Sequence, residues 1–277
     1  MVSFKRILFP VEFSPQCQIA ARHVASYARH FKAEVMLLHV EELPAEPYAW
    51  EPQTERLTER LDQFLADEFD GVRVQRTVLT GDPANEIVRW TNNERADLIM
   101  MPTHGRGPFR RFVLGSVTAK VLHDAPCPVW TAAHLDTQLT SSPASLSSIL
   151  CAVDLDEAGD HTLRYTANLA RQIDCRVTVA HAVPAVETLP EAYFDGEFRA
   201  DLIEAASRRL DEMKASARLQ AVVCVGAGNI ARFVSHAAQS HHADLVVIGR
   251  GGNGILGRLR THDYAIIREC ECPVLSI

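Results

Sequence analysis

Short apolar runs alternate with amphipathic stretches along the chain. Arg6 to Val11, Val35 to Val40, Arg73 to Leu79, Asp97 to Met101 and Cys127 to Thr131 are brief and rich in apolar side chains, the pattern of strands covered on both faces. Between them, Cys17, Ala21, Val24, Ala28 and Phe31 recur at helical spacing, as do Leu57, Leu61, Phe64 and Leu65. Each series predicts one apolar stripe on a helix. Ser14-Pro15 and Asp82-Pro83 have the signature of an N-cap followed by proline in the first turn. Further along, Leu163, Ala167, Ala170 and Ile173, then Leu202, Ala206, Leu210, Met213 and Ala217, repeat the helical stripes. Strand and helix in alternation predict an α/β fold on a parallel, doubly wound sheet.

The whole alternation occurs twice. Ile7 to Glu12 lies 142 positions before Ile149 to Asp154, and the same offset carries His39 onto His181. Ala96 to Ile99 matches Ala243 to Val246 at 147 positions, and Cys127-Pro128-Val129 matches Cys272-Pro273-Val274 at 145. Landmarks in the same order twice mean two copies of one domain, and the small changes of offset are residues gained or lost in loops. Thr137 to Ser148, rich in Ser and Thr with one Pro, reads as a linker. The expected domains are therefore residues 1–136 and 149–277, and a chain of 277 residues suits two cores of that size.

Composition narrows the partners rather than the fold. Hydrophobic residues make up 47% and charged residues 23%, ordinary for a globular protein. A net charge of -7, from 28 basic against 35 acidic side chains, gives no general attraction to nucleic acid or anionic lipid, so neither is expected as a partner and any anion must be bound locally. The stretch from Met1 into the first strand has no long apolar signal region, and no uninterrupted run of about 20 apolar residues occurs. A cytoplasmic protein is expected. Seven cysteines is an odd number, and Cys127, Cys151, Cys175, Cys224 and Cys272 sit in or beside strand-like runs, where cysteine behaves as a small hydrophobe. Cys270-Glu271-Cys272 lacks the second pair and the two-residue spacer of zinc ribbons, so packing is its expected role.

A doubly wound sheet holds ligands beyond the carboxyl ends of its strands, where the strand order reverses. Attention falls on the loops after the first and fourth strands. Pro102-Thr103-His104-Gly105-Arg106-Gly107 follows the fourth strand, and Gly115-Ser116 opens the next helix. A helix start presents unpaired N–H groups and a positive dipole end, and glycine lets a phosphate approach the main chain. Arg106, Arg110 and Arg111 add local positive charge. The same residues also suit a serine that merely caps its helix while the arginines face solvent. His104 with Ser116 raises nucleophilic chemistry, but no orienting carboxylate or oxyanion site follows in chain order. His241, His242 and His262 are expected to be solvated or paired with a helix end rather than to bind metal.

Together these features resemble the universal stress protein family, whose nucleotide-binding members carry Gly-x2-Gly-x9-Gly-Ser/Thr after the fourth strand. Gly105, nine residues, then Gly115-Ser116 match its second half. An acidic residue ends strand one in both copies (Glu12, Asp154), Asp97 and Asp244 open strand four, and Ala125 to Val129 leads into strand five. The resemblance covers nearly the whole chain outside the linker and loops. It implies an adenine nucleotide alpha hydrolase-like fold: two five-stranded parallel sheets flanked by helices, forming an intramolecular pseudo-dimer paired through the fifth strands. A further homodimer of the whole chain is compatible with it. It also implies a small-molecule nucleotide partner, ATP or AMP, in the first domain, with adenosine held by the acidic residue after strand one and backbone near the end of strand two, and phosphates by the Gly-Ser segment. Carried over, the binding positions are Pro10, Glu12, Val40, Thr103, Gly105, Arg106, Gly115, Ser116, Val117 and Thr118 in the first copy, with Asp154, Gly249 and Gly252 in the second. The function implied is that of a nucleotide-binding stress-response regulator or sensor. Slow ATP hydrolysis or autophosphorylation is the most catalysis it allows, and a ligand-free interaction module is the alternative.

The copies depart from the pattern in different places. Pro102 stands where the first glycine belongs, and proline has no N–H and a fixed φ. Glu12 in place of aspartate reaches one methylene further. In the second copy, nine residues beyond Gly252, His262-Asp263 replaces Gly-Ser. Asp263 is expected to cap a helix from Asp263 to Cys270 and to set its own carboxylate where a phosphate would sit. The first copy is thus the expected phosphate site and the second a degenerate partner.

Overall fold

The computed structural model describes residues 2–43, 53–103, 114–134, 146–183, 196–250 and 261–277. They fall into two compact units, Ser3–Ala144 and Ser145–Ile277. The first unit runs β1 (Arg6–Pro10), α1 (Pro15–Phe31), β2 (Glu34–Glu41), α2 (Thr54–Gln63), a 3-10 turn (Asp67–Phe69), β3 (Val74–Thr80), α3 (Pro83–Asn93), β4 (Leu98–Pro102), α4 (Ser116–Asp124) and β5 (Val129–Ala132). Its strands are parallel in the order β3-β2-β1-β4-β5. The second runs β6 (Ser148–Ala152), α5 (Glu157–Ile173), β7 (Arg176–Val183), α6 (Gly196–Ser216), β8 (Val222–Ala227), α7 (Ile230–Ser240), β9 (Leu245–Ile248), α8 (Thr261–Glu269) and β10 (Val274–Ser276), in the parallel order β8-β7-β6-β9-β10. Both copies are doubly wound, as the alternation predicts. The order reverses between β1 and β4 and between β6 and β9, and there a crevice opens at the carboxyl ends.

Central strands are apolar on both faces because helices cover both. Ile7, Leu8 and Phe9 in β1, Leu98, Ile99 and Met100 in β4, and Ile149, Leu150 and Cys151 in β6 are all fully buried. The helices start where the sequence places them. Ser14 Oγ accepts the Cys17 N–H at 3.3 Å with Pro15 in the first turn of α1, and Asp82 Oδ1 accepts the Asn85 N–H at 2.9 Å at the head of α3. In α5 the cap is Asp156, which accepts from Gly159 N–H at 2.9 Å. The aspartate landmark before strand four also has a structural cause. Asp97 accepts the N–H of Lys5 at 2.8 Å and of Arg6 at 3.2 Å, and Asp244 accepts those of Ser147 at 2.8 Å and Ser148 at 3.0 Å. In each copy this carboxylate ties the start of strand four to the start of strand one.

Three expectations are displaced. Only Leu61 of the stripe Leu57, Leu61, Phe64 and Leu65 is a buried residue of α2; the helix ends at Gln63 and the chain turns through Leu65 at a φ of 60°. Four apolar residues at helical spacing fit a helix end and its turn as well as a continuous stripe. Ser148, assigned to the linker, is the first residue of β6 and pairs with Arg176. Strand five begins at Val129 rather than Cys127.

All seven cysteines are free. Burial pushes the Cys151 and Cys272 thiols up to about 12. Burial, together with Asp244 and Asp174, pushes Cys175 up to about 11. Such thiols stay protonated at neutral pH and behave as packing groups. No described helix is long and apolar enough to cross a membrane.

Candidate functional site

The crevice between β1 and β4 in the first unit is a cavity of about 580 Å³. Seven of the predicted residues meet around it: Pro10 at the end of β1 and Glu12 just past it, Val40 near the end of β2, and Gly115, Ser116, Val117 and Thr118 at the head of α4. Thr103 lies behind the wall. Its N–H reaches the Ala132 carbonyl at 3.3 Å, and its own carbonyl accepts the Gly115 N–H at 2.9 Å, so it aims the helix start rather than facing a ligand. Gly105 and Arg106, together with His104, Arg110 and Arg111, lie outside the described residues, as does Gly252 in the second copy.

The lining of the cavity is chemically mixed. Gly115, on its wall, is the N-cap of α4 in an extended conformation, with φ -62° and ψ 145°. It has no side chain with which to accept the first-turn N–H groups, and a helix start of this kind can receive an anion. Thr118 Oγ1 donates to the Pro102 carbonyl at 3.3 Å, anchoring the turn to β4. Glu12, Glu41 and Glu42 also lie on the wall. His39 holds the loop after β1: its Nδ1 lies 2.8 Å from the Val11 carbonyl. A carbonyl can only accept, so Nδ1 carries the proton. His181 repeats the contact with Val153 at 2.8 Å. Sequence reasoning used this histidine only as a repeat landmark; its role is to hold the loop that presents the acidic residue.

Equivalent residues line a cavity in the second unit, including Asp154, His181, Gly249 and Asp263, but it measures only about 70 Å³. The first volume falls in the range of small-molecule sites and the second holds little more than ordered water. Register between the copies shows one difference in the wall of the smaller cavity. Cys17 and Gly159 lie 142 positions apart and are equivalent. A Cβ on Gly159 would sit 1.8 Å from the Asp154 carbonyl oxygen, so α5 approaches the loop after β6 more closely than a helix bearing a side chain there can.

A second exchange accounts for Pro102. It is equivalent to Gly249, and Ala20 is equivalent to Thr162. A Cβ at position 249 would meet Thr162 Oγ1 at 2.4 Å. One copy therefore combines alanine with proline and the other threonine with glycine, and the bulk has moved from helix to strand end. Gly249→Ala is expected to destabilise the protein by about 2 kcal/mol through overpacking, and Thr162→Ala in the same chain to restore at least half of that. Urea unfolding of the single and double variants measures the coupling; strictly additive losses would contradict it.

The helix after the fourth strand departs from expectation in the second copy. α8 begins at Thr261, two residues before the expected start, so Asp263 sits inside its first turn and not at the cap. Helix register makes Ser116 equivalent to Thr261 and Thr118 to Asp263. The loop is two residues shorter than in the first copy, so counting nine positions from Gly252 overshoots. The position equivalent to Gly115 is Arg260, which lies outside the described residues. Asp263 is nonetheless buried and lines the small cavity, and its carboxylate favours the positive end of α8. Among the described residues, no three His, Cys, Asp or Glu side chains are grouped to hold a metal ion.

The model of the universal stress protein family matches residues 3–132 and again 146–277. A universal stress protein of Methanocaldococcus jannaschii is 38% identical over 138 residues, covering 46% of this chain and 80% of that protein. One from Thermus aquaticus is 35% identical over 133 residues, covering 46% of this chain and 96% of that protein. The crystal structure of a universal stress protein from Archaeoglobus fulgidus is similar over 98% of this chain and 97% of its own, with a TM-score of 0.74 and 20% identity. At that identity the likeness is one of fold.

Proposed function

The chain belongs to the universal stress protein family, with two copies of the family's domain in one polypeptide, and we propose that the first copy binds an adenine nucleotide, ATP or AMP, as the ligand-sensing half of a stress-response regulator. The observation that carries this reading is the cavity of about 580 Å³ whose wall includes both the acidic loop after β1 and the start of α4, where Gly115 supplies no side-chain cap. Glu12 accepts hydrogen bonds from ribose hydroxyls, backbone at Val40 meets the base, and the first-turn N–H groups of α4 receive the phosphates. Pro102 is compatible with this arrangement, because the residue equivalent to Thr162, whose Oγ1 stands 2.4 Å from a Cβ built at Gly249, is the smaller Ala20 in the first copy. The second copy, with about 70 Å³, serves as a structural or regulatory partner.

Pairing of the copies through their fifth strands is what the family resemblance implies, and a cytoplasmic location is what the sequence leads one to expect. Free cysteines throughout suit a reducing compartment.

Calorimetric titration of the full chain with ATP, ADP and AMP tests the proposal. One site per chain is expected, with thermal stabilisation rising with ligand concentration as mass action requires. Two equivalent sites overturn the asymmetry. The absence of both heat and stabilisation favours a ligand-free interaction module.

A further inference from the structure

Phe13, directly after Glu12, has a φ of 59°, in the left-handed region that a bulky side chain avoids. Strain of this kind persists only where packing enforces it, and it collects at functional sites. Here the enforcement is visible. The Phe13 ring lies 4.5 Å from the His39 ring and 5.1 Å edge-on from Phe64, and the Arg60 guanidinium carbon stands 4.1 Å from its centroid. Phe13, His39 and Arg60 all line the large cavity. Arg60 belongs to α2 and is exposed, so its guanidinium lies over the Phe13 ring and is also accessible from outside. The position equivalent to Phe13 in the second copy is Leu155, which has neither a ring nor a positive φ. The stack belongs to the copy with the open cavity.

We propose that Phe13 and Arg60 form a stacking platform for the base of the ligand, which lies flat against the exposed Arg60 guanidinium in the cavity that Glu12 also lines. The inference rests on the nucleotide reading and extends it to residues outside the glycine motif. Guanidinium planes and aromatic rings both accept stacked bases, and stacking is largely indifferent to phosphate. Lysine cannot replace arginine in this role because an ammonium has no flat face. The strained backbone at Phe13 is what turns its ring under Arg60.

Calorimetry on the full chain with adenosine, ATP and inorganic tripolyphosphate separates the possibilities. Arg60→Ala is expected to weaken adenosine and ATP alike by about tenfold and to leave tripolyphosphate unchanged. Arg60→Lys should not restore the loss, and Phe13→Leu, which takes the residue of the second copy, should reproduce it in part. Loss of ATP and tripolyphosphate affinity with adenosine unaffected would make Arg60 an anion contact and overturn the platform. So would unchanged binding of all three. A wild-type chain that binds none of them overturns the nucleotide reading itself, and the platform with it.

Discussion

Replacing Gly115 with aspartate is expected to lower ATP affinity at least about a hundredfold, leave adenosine binding unchanged and raise the melting temperature slightly. The three effects share one cause. Gly115 occupies the N-cap of α4 at φ -62° and ψ 145°, a conformation open to any L-residue. Aspartate is among the preferred caps and exceeds glycine there by a few tenths of a kcal/mol. Its carboxylate accepts the first-turn N–H groups that a phosphate would otherwise receive, and it repels the incoming anion. A hundredfold corresponds to about 2.7 kcal/mol, the scale of one or two charge-assisted hydrogen bonds. Calorimetry with ATP and adenosine beside a thermal melt reads all three quantities. Retained ATP affinity in a normally melting variant removes the phosphates from the head of α4.

Gly159→Ala is expected to be the most damaging small substitution in the second copy, costing about 3 kcal/mol. The added Cβ would lie 1.8 Å from the Asp154 carbonyl oxygen and 2.8 Å from its carbon. Both are backbone atoms, so no side-chain rotation relieves the collision and α5 must move away from the loop after β6. The same alanine at Gly71 would meet nothing within 4 Å, but there the φ of 73° introduces strain of a different origin. Chemical denaturation of the full chain gives the loss directly. A cost below about 1 kcal/mol would mean that α5 is not held against Asp154.

Much of the fold was legible because its signals are local. Strands buried on both faces read as apolar runs, and Ser14 and Asp82 announce their helices with the proline that follows. The repeat landmarks recur because each holds the backbone in place. His39 and His181 bind the carbonyl of the residue before the acidic one, while Asp97 and Asp244 bind the N–H groups opening strand one. Seven residues carried over from the family resemblance do share one cavity. What the sequence concealed depends on register or on approach through space. The start of α8 was misplaced because a residue count crossed a shortened loop. The close approach of Gly159 to Asp154 beside the second cavity is a contact that no periodicity encodes. Phe13 and Arg60, 47 positions apart, are brought together by a turn and a short helix, neither of which announces a stacked pair.

The exchange of bulk between Ala20 with Pro102 and Thr162 with Gly249 also bears on how such a chain persists. Tandem copies within one gene recombine with each other and tend to become identical. A crossover between the codons for these two positions would yield one product with threonine facing proline and another with alanine facing glycine. The first collides and the second encloses a void, and each costs stability. Every copy is thus sterically compatible only with itself, which penalises homogenisation and leaves an open first cavity and a closed second one free to keep diverging.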